Sequence, residues 1–218
     1  MGYYKISQNK DQNNMKTKIL IIALLLSTSN LFAQKLYVWC PKDQIPTPRQ
    51  GFLEKDTIDL VVFDGRILTP ESKIECTSEN IISQLTEFIK ITYSSATVNI
   101  LNSTFYYKDP LKNRITIKIA ISAFHAAFGA DVKVGIGSVG GNFSYGVIPE
   151  GKWSAVTAYA VKIYDYRNSL DIRKTKDIYK IASKPNMGGY NTAKNILNNT
   201  YIEANQELLF FIDETFMK

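Results

Sequence analysis

Histidine occurs once and cysteine twice in the 218 residues, and these scarcities exclude several chemistries at the outset. One imidazole cannot build the histidine-rich ligand sets of zinc or copper centres. Cys40 and Cys76 without supporting histidines are too few for a structural zinc site. No apolar run beyond the leader approaches the roughly 20 residues that a membrane-spanning helix needs. Internal repeats and low-complexity tracts are missing as well. An excess of one sign of charge is also small once the leader is set aside. Residues 1–33 carry Lys5, Lys10, Lys16 and Lys18 against Asp11, so half of the formal +6 belongs to them. The remaining excess favours solubility but is not the footprint of a nucleic-acid binder.

What the N-terminal segment does contain is the order of parts expected of a cleavable export signal. Lys16 and Lys18 precede the apolar run Ile19–Leu26, and a small, polar stretch ends at Ala33 before Gln34. Eight apolar residues are too few for a permanent anchor. The reading is therefore an upstream extension at 1–14, a signal at 15–33 starting from Met15, and a mature chain from Gln34. The mature length suits one domain with a single core. In an oxidising compartment Cys40 and Cys76 form either a disulfide or two buried thiols.

Along the mature chain, residues 34–55 hold Pro41, Pro46 and Pro48 without a sustained period, which predicts an irregular arm. Ile58–Phe63 is β-branched and apolar and stops at Asp64-Gly65, a buried strand and a turn. Thr77 and Ser78 can cap a helix whose apolar face is Ile81, Ile82, Leu85, Phe88 and Ile89. Ala96–Leu101 is a second strand. Ile115, Ile117, Ile119 and Ile121 alternate with Thr116, Lys118, Ala120 and Ser122, which predicts a strand with one core face and one partly wet face. Seven glycines between 129 and 151 indicate a loop or a glycine-softened hairpin. Strand character returns over Trp153–Tyr166, a polar partner follows near Asp171–Lys180, and Asn191 or Thr192 caps a last helix with an apolar stripe from Ala193 to Ile212. The expected fold for 56–218 is α+β: a mostly antiparallel sheet of four to five strands with two amphipathic helices on one face.

Motifs with chemical meaning are few. Gly135-Ile-Gly-Ser-Val-Gly140 spells a dinucleotide fingerprint, but Gly141, Gly146 and Pro149 do not start the helix that a pyrophosphate needs. His125 sits in the apolar stretch Ala123–Phe128, with Ser122 and Ser138 as the only nearby nucleophiles, and reads as a packed residue. Asp59 with Asp64, and Glu203 with Glu207, are explained by turn and surface chemistry, although a carboxylate pair leaves no motif of its own. The stretch 162–184 is basic, and Lys162, Arg173, Lys174 and Lys176 form the candidate contact surface for anionic headgroups, glycans or an acidic protein patch. The plainer reading is a solvated hairpin.

Two blocks resemble small Gram-negative envelope lipoproteins of the YajG type. One is Asp59-Leu-Val-Val-Phe-Asp-Gly-Arg66, an apolar strand with an Asp-x-Arg turn before a helix. The other is the closing helix 193–216, with Leu197-Asn-Asn, Ala204-Asn and Ile212-Asp213. The middle of the chain is similar to auxiliary lipoproteins of lipid-transport systems. Such relatives carry a lipid-modified cysteine directly after the signal, where this chain has Phe32-Ala33-Gln34, so a soluble periplasmic or secreted form is expected. The resemblance implies no catalytic residue and no cofactor. The expected role is a non-enzymatic envelope accessory binding a protein, an anionic polymer or a lipid surface. The rivals are a glycan hydrolase with an unmarked carboxylate pair and a carrier of an apolar ligand.

Overall fold

The computed structural model describes residues 35–129, 132–137, 143–148, 151–167 and 172–217. The expected leader lies outside them. No helix among the described residues is long and apolar enough to cross a membrane.

The elements follow the order β1 (Leu36–Val38), β2 (Thr57–Asp64), β3 (Lys73–Ile74), α1 (Ser78–Thr92), β4 (Thr97–Leu101), a 3-10 turn (Ser103–Tyr107), β5 (Ile115–Phe128), β6 (Val132–Gly137), β7 (Phe143–Ile148), β8 (Lys152–Asp165), β9 (Ile172–Pro185) and α2 (Tyr190–Phe216). β6 and β7 pair as an antiparallel hairpin, the second of the two forms expected for the glycine-rich segment.

The other seven strands form one mixed sheet rather than a mostly antiparallel one of four to five. The difference has a physical cause. A helix between two strands of one sheet carries the chain back to its starting edge, so the strands come out parallel. That is the case for β2 and β4 around α1, and β2 also runs parallel to β5. The antiparallel half is the ribbon β5–β8–β9, in which each strand has 14 residues. β1 adds antiparallel to the far end of β5, at Ala126 and Ala127. The start of the expected irregular arm is thus a strand. Leu36 and Val38 are buried against the sheet, and that burial outweighs the weak local signal of three residues.

Both helices lie on one face, as their apolar stripes require. Ile81, Leu85 and Ile89 of α1 and Ile196, Leu208 and Ile212 of α2 join Ile117, Ile119, Tyr159 and Val161 in one core. Thr77 caps α1 by accepting the Asn80 N–H at 3.3 Å, with Glu79 in the first turn and Lys90 in the last. α2 begins at Tyr190 without a side-chain cap, not at Asn191 or Thr192. Its entry is set instead by Gly189 at φ +56°, a value that favours glycine, and by Asn186, whose Oδ1 accepts from Gly189 N and Trp153 Nε1 at 3.0 and 3.1 Å.

The rest of the arm is irregular but tethered. Lys42 N–H donates to Asn198 Oδ1 at 2.9 Å, Arg49 N–H to Thr92 O at 2.8 Å, and Asn205 Nδ2 to Gln44 Oε1 at 2.8 Å. Arg49 also pairs with the buried Asp213, which accepts from Tyr93 Oη at 2.9 Å. Cys40 and Cys76 are joined as a disulfide with Cα atoms 4.6 Å apart across a sequence separation of 36. Closing a loop of that length stabilises the fold by about 4 kcal/mol through lost freedom of the unfolded chain. A Cys40→Ala, Cys76→Ala double variant is expected to melt roughly 8–16 °C lower in a calorimetric scan. An unchanged transition would mean that the hydrogen bonds of the arm suffice without the bridge.

Candidate functional site

The face of the sheet opposite the helices holds the densest unabsorbed chemistry. Along β5, Ile115, Ile117, Ile119 and Ile121 take the helix side, so Thr116, Lys118 and Ala120 must point the other way. That second face was expected to be partly wet. Instead β5 is buried from Ile115 to Ala127. The cover over Ala120 is the 3-10 turn after β4, capped by Asn102, whose Oδ1 accepts Thr104 N–H at 2.9 Å. Ala120 and Ala160 oppose each other across β5 and β8, and their small side chains leave room for Tyr106. Phe63 stacks on that ring with centroids 5.4 Å apart.

Lys118 stands directly opposite Lys162 in the β5–β8 register. Lys118 is only 3% exposed, and its ammonium donates to the carbonyls of Tyr106, at 3.3 Å, and Lys108. Burial, and next the positive charge of Lys162, hold it below the ordinary lysine value, with Asp109 acting the other way. Lys162 Nζ lies 5.1 Å from the Tyr106 ring centroid. Neither lysine has a carboxylate within ion-pairing distance among the described residues. Around them opens a cleft of about 670 Å³. Tyr107, Tyr164 and Tyr166 supply aromatic walls, Lys108, Lys112 and Arg173 further cations, and Asp109 its lining carboxylate.

Strand alternation divides the four basic residues singled out in the sequence. Lys162 and Arg173 line this cleft. Lys174 and Lys176 belong to the opposite face of β9, where Lys176 pairs with Glu207 of α2 at 2.9 Å and Lys180 joins the same carboxylate at 2.7 Å. Lys118, Tyr106 and the 107–112 loop were missed by sequence reading. Their signal was faint: one lysine inside an isoleucine strand, and a Tyr-Tyr pair before a turn.

The other candidates resolve into structural roles. Asp59 is fully buried in β2, and its Oδ1 receives Asn99 Nδ2 at 3.2 Å and Arg114 Nη1 at 3.3 Å. Asp64 is gripped by Arg66 through Nε and Nη2 at 2.8 and 2.7 Å, and by Ser78. Burial alone would raise its carboxyl, but the bonds from Arg66 and Ser78 outweigh that and hold it low. The same fork recurs at Asp165-Tyr166-Arg167, with distances of 2.9 and 2.7 Å, and Arg167 also reaches Asp56. Gly135 and Gly137 lie in a strand paired antiparallel with Phe143–Ile148, and the rest of the fingerprint, Ser138 to Gly140, lies outside the described residues. A second cleft of about 320 Å³, between the arm and the helices, is lined by Lys42, Asp43, Gln84 and Glu87 beside Phe88 and Ile91, which is not the dry cavity an apolar carrier needs. The described residues contain no cluster of three His, Cys, Asp or Glu fit for a metal.

No family model matches the chain, and no curated protein matches its sequence. Among solved structures it is similar to a hypothetical protein of Chlamydia trachomatis, at 10% identity and a TM-score of 0.42, over 75% of this chain and 99% of that one. It is also similar to a lipoprotein of Neisseria meningitidis, at 9% identity and a TM-score of 0.31, over 68% of this chain and 99% of that one. Likenesses of this depth assign neither family nor function, and the resemblance to the YajG type gains no family model behind it.

His125 is buried, as expected, and its Nε2 has no hydrogen-bond partner. Burial first, and the Arg66 charge second, push its imidazole down from 6.5 to about 4. The unfolded chain therefore takes up a proton below about pH 6.5 that the folded one refuses until near pH 4. The stability associated with neutral His125 is complete above that window and is lost as pH falls through it. Relative to wild type, His125→Leu is expected to gain about 2 kcal/mol between pH 7 and pH 5 in urea unfolding. A constant difference would show that the imidazole titrates freely.

Proposed function

We propose that this protein is an exported, non-catalytic binding module of the cell envelope, and that the tyrosine-walled cationic cleft is where it meets an anionic partner. The observation that carries the reading is the Lys118–Lys162 pair. Like charges placed directly opposite on adjacent strands destabilise a sheet, and a buried ammonium adds a desolvation cost. A partner that brings negative charge relieves both. Export is supported by the Cys40–Cys76 bridge, which persists in oxidising compartments, and by the order of basic, apolar and small residues over 16–33. The non-catalytic part is supported by three carboxylates of the sheet strands: Asp59, Asp64 and Asp165 are each held by an arginine, which suits anchoring rather than proton transfer.

The test is salt-dependent binding. The protein is expected to bind an acidic polymer such as heparin at low ionic strength and to release it as the Debye length shortens to about 8 Å. Lys162→Gln with Arg173→Gln should weaken binding several-fold, whereas Lys174→Gln with Lys176→Gln, on the helix side, should leave it nearly unchanged. Equal losses in the two double variants, or no binding by the wild type at low salt, would refute the assignment of the partner to this face.

A further inference from the structure

We infer that the Lys118–Lys162 pair is a phosphomonoester site. The inference rests on the anionic partner proposed above and narrows it to one chemical group. Three observations converge on it. The two lysines are direct cross-strand neighbours on one face of the sheet, both line the cleft, and neither has a carboxylate within ion-pairing distance among the described residues. Lys118 has three N–H donors. Two are used by the carbonyls of Tyr106 and Lys108, and one remains. Tyr106 lines the cleft at 3% exposure, and its buried hydroxyl has no hydrogen-bond partner.

The charge of the pair selects among anions. A carboxylate brings one negative charge and would leave one ammonium unbalanced. A phosphomonoester brings roughly −1.5 to −2 at neutral pH, with three acceptor oxygens. Lysine acts on phosphate as a point charge, so two ammoniums can approach different oxygens without the coplanar alignment an arginine fork demands. Lys108, Lys112 and Arg173 on the rim add to the field. The carboxylates facing it are Asp109 and, near Tyr106, Asp177. The cleft is larger than a phosphate group. The Tyr107 and Tyr164 rings border the space where the esterified moiety would lie. That moiety is a sugar or a lipid, and the phosphate chemistry is common to both.

The experiment is a calorimetric titration of the purified full-length protein with inorganic phosphate, a hexose monophosphate, acetate, and phosphatidylcholine vesicles containing phosphatidic acid. Phosphate and at least one phosphate ester are expected to bind, while acetate does not. Tighter binding of the hexose monophosphate identifies a sugar as the source, and tighter binding of the vesicles identifies a lipid headgroup. Lys162→Gln should weaken the preferred ester about tenfold, the loss of one charged hydrogen bond. Lys174→Gln should not change it. Lys118→Met should abolish it with the far-ultraviolet circular dichroism retained. Should Lys118→Met fail to fold because the 3-10 turn loses its anchor, Lys162→Gln decides alone. Heparin binding without any binding of phosphate or its esters would overturn the phosphomonoester and leave the anionic face standing. Loss of both would overturn the two together. Phosphate binding that is indifferent to Lys162→Gln also refutes the site.

Discussion

Strand β5 is paired along its whole length by β8 and along most of its other edge by β2 and β1. A strand in that position has no solvent-facing edge at which to place an awkward residue. Every side chain must enter one of two covered faces, chosen by parity alone. The isoleucines take the helix face and form the large core. Parity then commits Thr116, Lys118 and Ala120 to the other face, whatever their polarity. The 3-10 turn carrying Tyr106 is the consequence, since a sheet face with alanines at 120 and 160 needs a bulky cover. Lys118 anchors that cover through two carbonyls. The position of the cleft thus follows from the same alternation that builds the core.

Charge is handled in two contrasting ways at the edges of this sheet. Where β2 and β8 end, an aspartate and the arginine two residues later close the same fork, Asp64 with Arg66 and Asp165 with Arg167. Bidentate Arg–carboxylate geometry satisfies both partners with little freedom left to lose, so each strand end is pinned by its own sequence. The cations Lys176 and Lys180 are likewise answered by Glu207. Against that background of paired charge, Lys118 and Lys162 stand out because the fold pairs other cations so readily.

Much of the architecture is legible in the residues. The β2 run, the Thr77 cap, the stripe of α1 and the long stripe of α2 are strong local signals that packing reinforces, and each lies where its period places it. Other features depend on information that no local window holds. The parallel pairing of β2 with β4 is a property of the return path through α1, and that of β2 with β5 depends on the crossover after β4 that carries the 3-10 turn. The length of β5 was concealed by the register shift between Ile121 and Ala123, which breaks the period of two and moves Phe124 and Ala126 onto the helix side. The first strand is too short to have a period at all. The basic residues of β9 illustrate the limit of composition. A run of lysines reads as one patch, yet neighbours along a strand face opposite ways, and the partner of Lys162 in space is Lys118, from a strand face read only as partly wet. The second Asp-x-Arg fork was open to view in the sequence, since the first had already been singled out by its motif.

Keeping a lysine at position 118 is costly for a strand so completely enclosed. An apolar side chain of similar length would fill the volume beneath the turn without desolvating a charge, and such replacements of buried ionic groups are often neutral or stabilising. The carbonyl contacts recover part of the cost, because a hydrogen bond from a charged donor is worth about 1.5–3 kcal/mol. They do not explain why the opposite residue is a second lysine rather than a carboxylate that would neutralise the first. Glu at 162 would form a cross-strand pair and remove the repulsion. The double lysine makes physical sense when the neutralising charge comes from outside the chain. On that argument the repulsion stored between β5 and β8 holds the cleft in a state that favours anions before any arrive, and binding releases it.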